Sequence, residues 1–107
     1  MPFYLVQASY STQATAAMIK NPQDRAAAVR PVIERMGGKL HGLWFALGEH
    51  DVVVIAEMPE NVNAAAVAMA VGASGGISAY RTTPLLTTAE AMEAMKKAAG
   101  AGYQQPK

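Results

Sequence analysis

Apolar and polar positions come in blocks along this chain, and the period within each block separates strands from helices. "FYLVQASY" (3–10) is aromatic and β-branched and predicts a strand. "STQATAAMIKNPQDRAAAVRPVIERM" (11–36) is Ala-rich and helical, interrupted by Asn21-Pro22 and by Pro31. Proline suits the first turn of a helix and disrupts its interior. The segment therefore predicts a short helix, a joint and a longer helix, with a kink or restart near Pro31. Gly37-Gly38 stops it. "KLHGLWFALG" (39–48) and "DVVVIAEM" (51–58) predict two strands about a tight loop, a β-hairpin. Asn61 or Asn63 is placed to cap a helix running through "AAAVAMAVGA" (64–73). "SGGISAYRTT" (74–83) predicts a fourth strand closed by Pro84. "TTAEAMEAMKKAAG" (87–100) predicts a C-terminal helix, with Thr87 and Glu90 forming a capping box and Lys96-Lys97 at the negative end of the dipole.

The order β-α-β-β-α-β plus a terminal helix predicts a ferredoxin-like α+β sandwich. Its single antiparallel sheet has strand order 4-1-3-2, with helices on one face. One domain is expected over 1–100, followed by a flexible tail at 101–107. With Gly48 opposite Asp51, one hairpin face holds Leu43, Phe45 and Leu47 against Val52, Val54 and Ala56. The other holds Trp44 and Ala46 against Val53 and Ile55, with Asp51 and Glu57 at its ends. A sheet covered on one side alternates apolar with polar residues, and this one is apolar on both. The Trp44/Ile55 face therefore calls for a second cover, most simply another copy of the chain. The uncharged helix 64–73 implies burial all round, either under the C-terminal helix or in such a contact.

Composition narrows the picture. A chain of 107 residues, 51% hydrophobic and 16% charged, is a folded domain of ordinary size. The low charged share again implies that other copies cover some surface. A net charge of +1 argues against nucleic-acid partners. No cysteine is present, so disulfides, thiolate nucleophiles and Cys-ligated zinc are excluded. The N-terminus lacks the pattern of a signal peptide, and the apolar runs are too short to span a membrane, so a cytoplasmic protein with no membrane partner is expected. His41 and His50, the only histidines, lie nine residues apart along one strand, roughly 30 Å at 3.3 Å per residue. They cannot share an ion within one chain, and neither a metal nor a cofactor is expected. "GASGG" (72–76) has neither P-loop nor nucleophile-elbow spacing.

"GGKLHGLWFALGEHDVVVIAEMPE", together with the opening "MPFYLVQASYSTQ", resembles the GYD-domain family over about residues 2–90. These small bacterial and archaeal proteins are named for a Gly-x-Tyr-Asp signature at this hairpin. The resemblance implies a ferredoxin-like fold of the dimeric α/β-barrel type and brings no established activity. Gly48 and Asp51 match the signature, whereas His50 stands where the family has tyrosine. A role tied to a tyrosine hydroxyl does not carry over.

Two candidate sites follow from the topology. Strands one and two end where strands three and four begin, so Tyr10, Glu49, His50, Asp51 and Ser74 are expected along one rim. His50 with Asp51 is a candidate catalytic acid–base pair, because histidine titrates near neutrality and a carboxylate can orient its ring. Glu49 and His50 equally suit a plain polar turn. The second candidate is an intersubunit cleft binding a small organic molecule, lined by Trp44, Glu57, Gln7 and Arg81, with Tyr10 at its rim. There Trp44 alternatively fills the interface, and Glu57 pairs with Arg81. Three functions stay open: a small-molecule binding module, a cofactor-independent enzyme, and an oligomer whose assembly is itself the function.

Overall fold

The computed structural model describes residues 1–107. Its elements are β1 (Phe3–Tyr10), α1 (Thr12–Lys20), α2 (Arg25–Arg35), β2 (Lys39–Phe45), β3 (Val52–Glu57), α3 (Asn61–Ala73), β4 (Ile77–Leu85) and α4 (Thr88–Ala99). All strand pairs are antiparallel, in the order β2-β3-β1-β4, which is the expected 4-1-3-2 read from the opposite edge. The fold is an α+β sandwich of the ferredoxin-like kind. No helix is long and apolar enough to cross a membrane.

The core lies between the sheet and its helix layer. Tyr4 and Ala8 of β1, Val52, Val54 and Ala56 of β3, and Leu40 of β2 are buried against Ile33 of α2 and Ala64 and Val67 of α3. Alternation along each strand sends their neighbours to the opposite, open face: Leu5 and Gln7, Val53 and Ile55, Trp44, and Arg81 of β4. That face has no cover, and Trp44 is 56% exposed on it. Its indole lies along β2 over Gly42, where a Cβ atom would strike the ring.

Helix starts follow local chemistry. The Ser11 hydroxyl accepts the Ala14 amide at 3.1 Å, and the Asp24 carboxylate accepts the Ala26 amide at 2.9 Å. The expected capping box of α4 is present, with Glu90 N–H to Thr87 Oγ1 at 3.1 Å and Thr87 N–H to Glu90 Oε1 at 2.9 Å.

Several expectations need correction. Pro31 does not restart α2, which runs unbroken from Arg25 to Arg35; the joint falls at Asn21–Asp24, as Asn21-Pro22 led one to expect. Neither Asn61 nor Asn63 caps α3. Glu60 holds that position without a side-chain bond, while Asn61 accepts the Tyr4 hydroxyl at 2.5 Å and Asn63 donates to the Met36 carbonyl at 3.1 Å. Both asparagines thus tie the helix to its neighbours. Pro84 lies inside β4, not after it; β4 is an edge strand, where a missing N–H costs no ladder bond. The hairpin loop is longer than expected: Phe45 pairs with Val52, and Ala46 N–H bonds the Asp51 carbonyl at 2.8 Å. Relative to a Gly48–Asp51 pairing, the register is displaced by two residues. An even displacement leaves every side chain on its predicted face. Tight turns ordinarily draw on glycine for a positive φ, yet Gly48 does not adopt one, whereas Gly37, Gly75 and Gly102 do. Nor does α4 cover α3, where Met69 is 75% exposed.

Two glycines separate steric need from sequence pattern. A Cβ on Gly38 would collide with the Glu57 backbone and the Met58 sulfur, whereas one on Gly48 meets nothing within 4 Å. Gly38→Ala is expected to destabilise by about 1–3 kcal/mol in denaturant unfolding, and Gly48→Ala by less than about 0.5 kcal/mol. Equal losses at the two positions would contradict this placement.

Candidate ligand-binding site

Small side chains on both layers leave space between them. The sheet contributes Val6, Ala8, Val52 and Val54, while α1 and α3 face it with Ala14, Ala17, Val67 and Val71. Protein interiors normally fill such space to crystal-like density. Here a cavity of about 250 Å³ remains, and fifteen of its nineteen lining residues are hydrophobic. The floor is buried Ala8, Ile33, Val52, Val54 and Val67; the mouth is exposed Ala17, Gln23 and Ser74. An engineered apolar cavity of about 150 Å³ is enough to take up benzene, so this one has room for a ring with a short substituent.

A few polar groups converge on it. The Arg25 guanidinium is its one charged group. Tyr10 enters from the end of β1 with its ring stacked on Phe45, centroids 5.9 Å apart. Tyr80 enters from β4. Burial pushes the Tyr80 phenol above its ordinary value of 10.0, an effect that the Thr82 hydroxyl opposes more weakly. Ser74 is occupied, its hydroxyl donating to the Val71 carbonyl at 2.6 Å.

The residues singled out from the sequence are divided by the sheet. Tyr10 and Ser74 belong to the cavity, on the helix side. Gln7 and Arg81, paired across β1 and β4, lie on the open face and share a more polar recess with Gly48, Glu49 and His50. Asp51 lies between the two groups and clasps backbone. Its carboxylate accepts the Tyr10 amide at 3.0 Å, and its own N–H donates to the Ala8 carbonyl at 2.9 Å. No hydrogen bond joins Asp51 to the His50 ring. Glu57 pairs with His41 at 3.1 Å, not with Arg81, and the Phe3 ring packs beside that histidine at 5.2 Å. Trp44 stands apart on β2. No group of three or more His, Asp or Glu side chains is arranged to hold a metal ion.

A family model described as "GYD domain" matches residues 4–95, most of the chain. The chain belongs to the GYD-domain family. No curated protein matches it closely enough to add a named activity. Within this GYD domain the signature loop packs against the end of β1: Ser9 Oγ reaches the Glu49 carbonyl at 3.4 Å, beside the Asp51–Tyr10 bond.

The cavity, Arg25 and Tyr80 were missed from sequence. The available signal was the run of alanines in α1 and α3 opposite short sheet residues, which cannot fill a gap of about 10 Å between layers. A titration probes the buried phenol. The folded protein keeps the Tyr80 proton above pH 10.0, where the unfolded chain has lost it. The unfolded state then binds fewer protons, and stability falls as pH rises through that window. Tyr80→Phe is expected to flatten the fall above about pH 10 in thermal unfolding. An unchanged slope would place the phenol in water.

Proposed function

We infer that this GYD domain is a small self-associating binding module that takes a small, largely apolar organic molecule. The observation carrying this reading is the cavity itself, an open, apolar space of about 250 Å³ with polar groups only at its margins, the usual make-up of a small-molecule site. The site lies between sheet and helices of one chain instead of the expected cleft at Trp44. A titration with 3-phenylpropanol should shift the methyl NMR signals of Val54, Val67 and Val71 and leave Val53 and Ile55, on the far face, unmoved. Ala17→Phe at the mouth should abolish those shifts without lowering the melting temperature by more than a few degrees. Shifts confined to the open face, or unaltered by Ala17→Phe, would sink the cavity as the binding site.

Self-association is supported by surface. The chain exposes 7506 Å², against about 5,700 Å² for a compact monomer of its mass. Its radius of gyration is 17.2 Å, against about 13 Å for a compact domain of this length. Standard interfaces remove about 800 Å² per partner, well within the excess. The open sheet face around Trp44, Val53 and Ile55 is the surface we assign to the contact. α4 adds to the unpartnered surface: none of its residues is buried, and Met95 is 67% exposed. Sedimentation should give a mass above the 11.2 kDa of one chain, with Ile55→Asp or Trp44→Ala shifting it down to that value. A parent that sediments as a monomer at micromolar concentration would refute the assignment. The enzyme alternative gains no support from the loop, where the Asp51 carboxylate holds the Tyr10 amide instead of the His50 ring.

A further inference from the structure

The one charged group on the cavity wall is a cation without an anion. Arg25 begins α2, and its Nε is fully buried with no hydrogen-bond partner in the protein. Neither of the two ion pairs in the chain involves it. No acidic residue lines the cavity, and Asp24, beside it in sequence, spends its carboxylate on capping α2 through the Ala26 amide. A guanidinium loses much of its hydration at such a wall, and a buried donor left unmet is costly.

Its position is held by a relay. Gln23 Nε2 donates to the Asn21 carbonyl at the end of α1 at 3.2 Å, and Gln23 Oε1 accepts from Arg25 Nη1 at 2.6 Å. Gln23 thus takes one of the five guanidinium donors, and no acidic side chain takes another. A fork of this kind binds carboxylate through two parallel N–H···O bonds when its donors are free. With a single cation and an otherwise apolar lining, the site suits a monoanion better than a phosphate, which carries more charge and needs more donors.

We propose that the ligand of this cavity is an apolar monocarboxylate, a ring or short chain seated over Val54 and Val67 with its carboxylate on Arg25. The proposal rests on the cavity being the binding site, and its test separates the two. 3-Phenylpropanoate and 3-phenylpropanol have the same apolar body, and each is titrated into the full chain at neutral pH and low salt while the valine methyls are followed. The acid is expected to bind the parent at least tenfold more tightly than the alcohol. In Arg25→Leu, and in Arg25→Gln should the first variant lose its parent-like methyl spectrum, the two should bind within about twofold of each other. Gln23→Ala, which frees the guanidinium from its relay, should narrow the preference for acid over alcohol. Equal affinities of acid and alcohol for the parent, with both shifting the cavity methyls, would overturn the carboxylate assignment and leave the cavity reading intact. A preference for acid that survives both Arg25 substitutions would also overturn it. If neither compound moves the cavity methyls, the binding-module reading fails as well.

Discussion

Three helices with short side chains must cover one face of a sheet whose other face is just as apolar, and the main features of the molecule trace to that mismatch. α1 and α3 bring alanine and valine to the sheet where leucine or phenylalanine would fill the gap. The layers stay apart because Tyr4 is bonded to Asn61 and Asn63 to the Met36 carbonyl, which fixes α3 against β1 and the end of α2. With the spacing pinned and the side chains small, space remains instead of collapsing. Only ten residues are buried, so the chain has little core to spare. Occupation of the cavity by a ligand would add apolar contacts that the chain does not make with itself.

The sheet also separates two kinds of surface by parity alone. Val52 and Val54 face the helices, while Val53 and Ile55 face outward, one residue apart on the same strand. Tyr10 and Gln7 lie three positions apart on β1 and open onto opposite sides. A cavity wall and an exposed apolar face can then occupy one short strand set without sharing a side chain. Asp51 stands at the junction, where its carboxylate secures the end of β1 and the turn carries Glu49 and His50 to the open side. Its place in the Gly-x-x-Asp pattern of "GEHD" is accounted for by that backbone bond. Gly48 has no comparable account in this chain, since neither its φ nor the space around it requires glycine.

Much of the fold was legible from sequence because hydrophobic period and strand parity are robust to small errors. The hairpin register was misplaced by two residues, yet Trp44, Val53 and Ile55 still fell on the open face, since an even slip changes no facing. The irregularity between Leu40 and Gly42 was not legible, because a bulge depends on how β2 fits β3 rather than on its own residue pattern. Asn61 and Asn63 misled for a similar reason: their capping propensity was overridden by partners 57 and 27 residues away. The site was less legible still. Tyr10 was named with Ser74, which shares its cavity, and with Asp51, which holds its amide, but Glu49 and His50 lie on the other side of the sheet. Arg25 was passed over because an arginine at the start of a surface helix looks like any other. Its distinction is its place on the wall of an apolar cavity with a buried, unpaired Nε, which only the three-dimensional arrangement reveals.

α4 shows the limit from the other side. Every local device for stabilising a helix is present in it. It has a reciprocal capping box, a Glu93–Lys97 pair at 3.6 Å one turn apart, and Lys96 and Lys97 at its negative end. The Glu90 carboxyl is held below its ordinary range, first by the Thr87 backbone amide and then by the Thr87 hydroxyl. Such devices contribute a few tenths to about 1 kcal/mol each, and a helix of twelve residues on its own is marginal in water. No tertiary burial within the chain makes up the difference. The longest dimension of the molecule, 57 Å, is about the sum of the roughly 30 Å of the nine-residue β4 and the roughly 18 Å of α4, plus the tail. The helix therefore projects beyond the end of the sheet, not across it. Local sequence signals suffice to make α4 a helix and say nothing of where it packs. Its apolar side chains, Met92 and Met95 among them, stay exposed and find no cover within the chain.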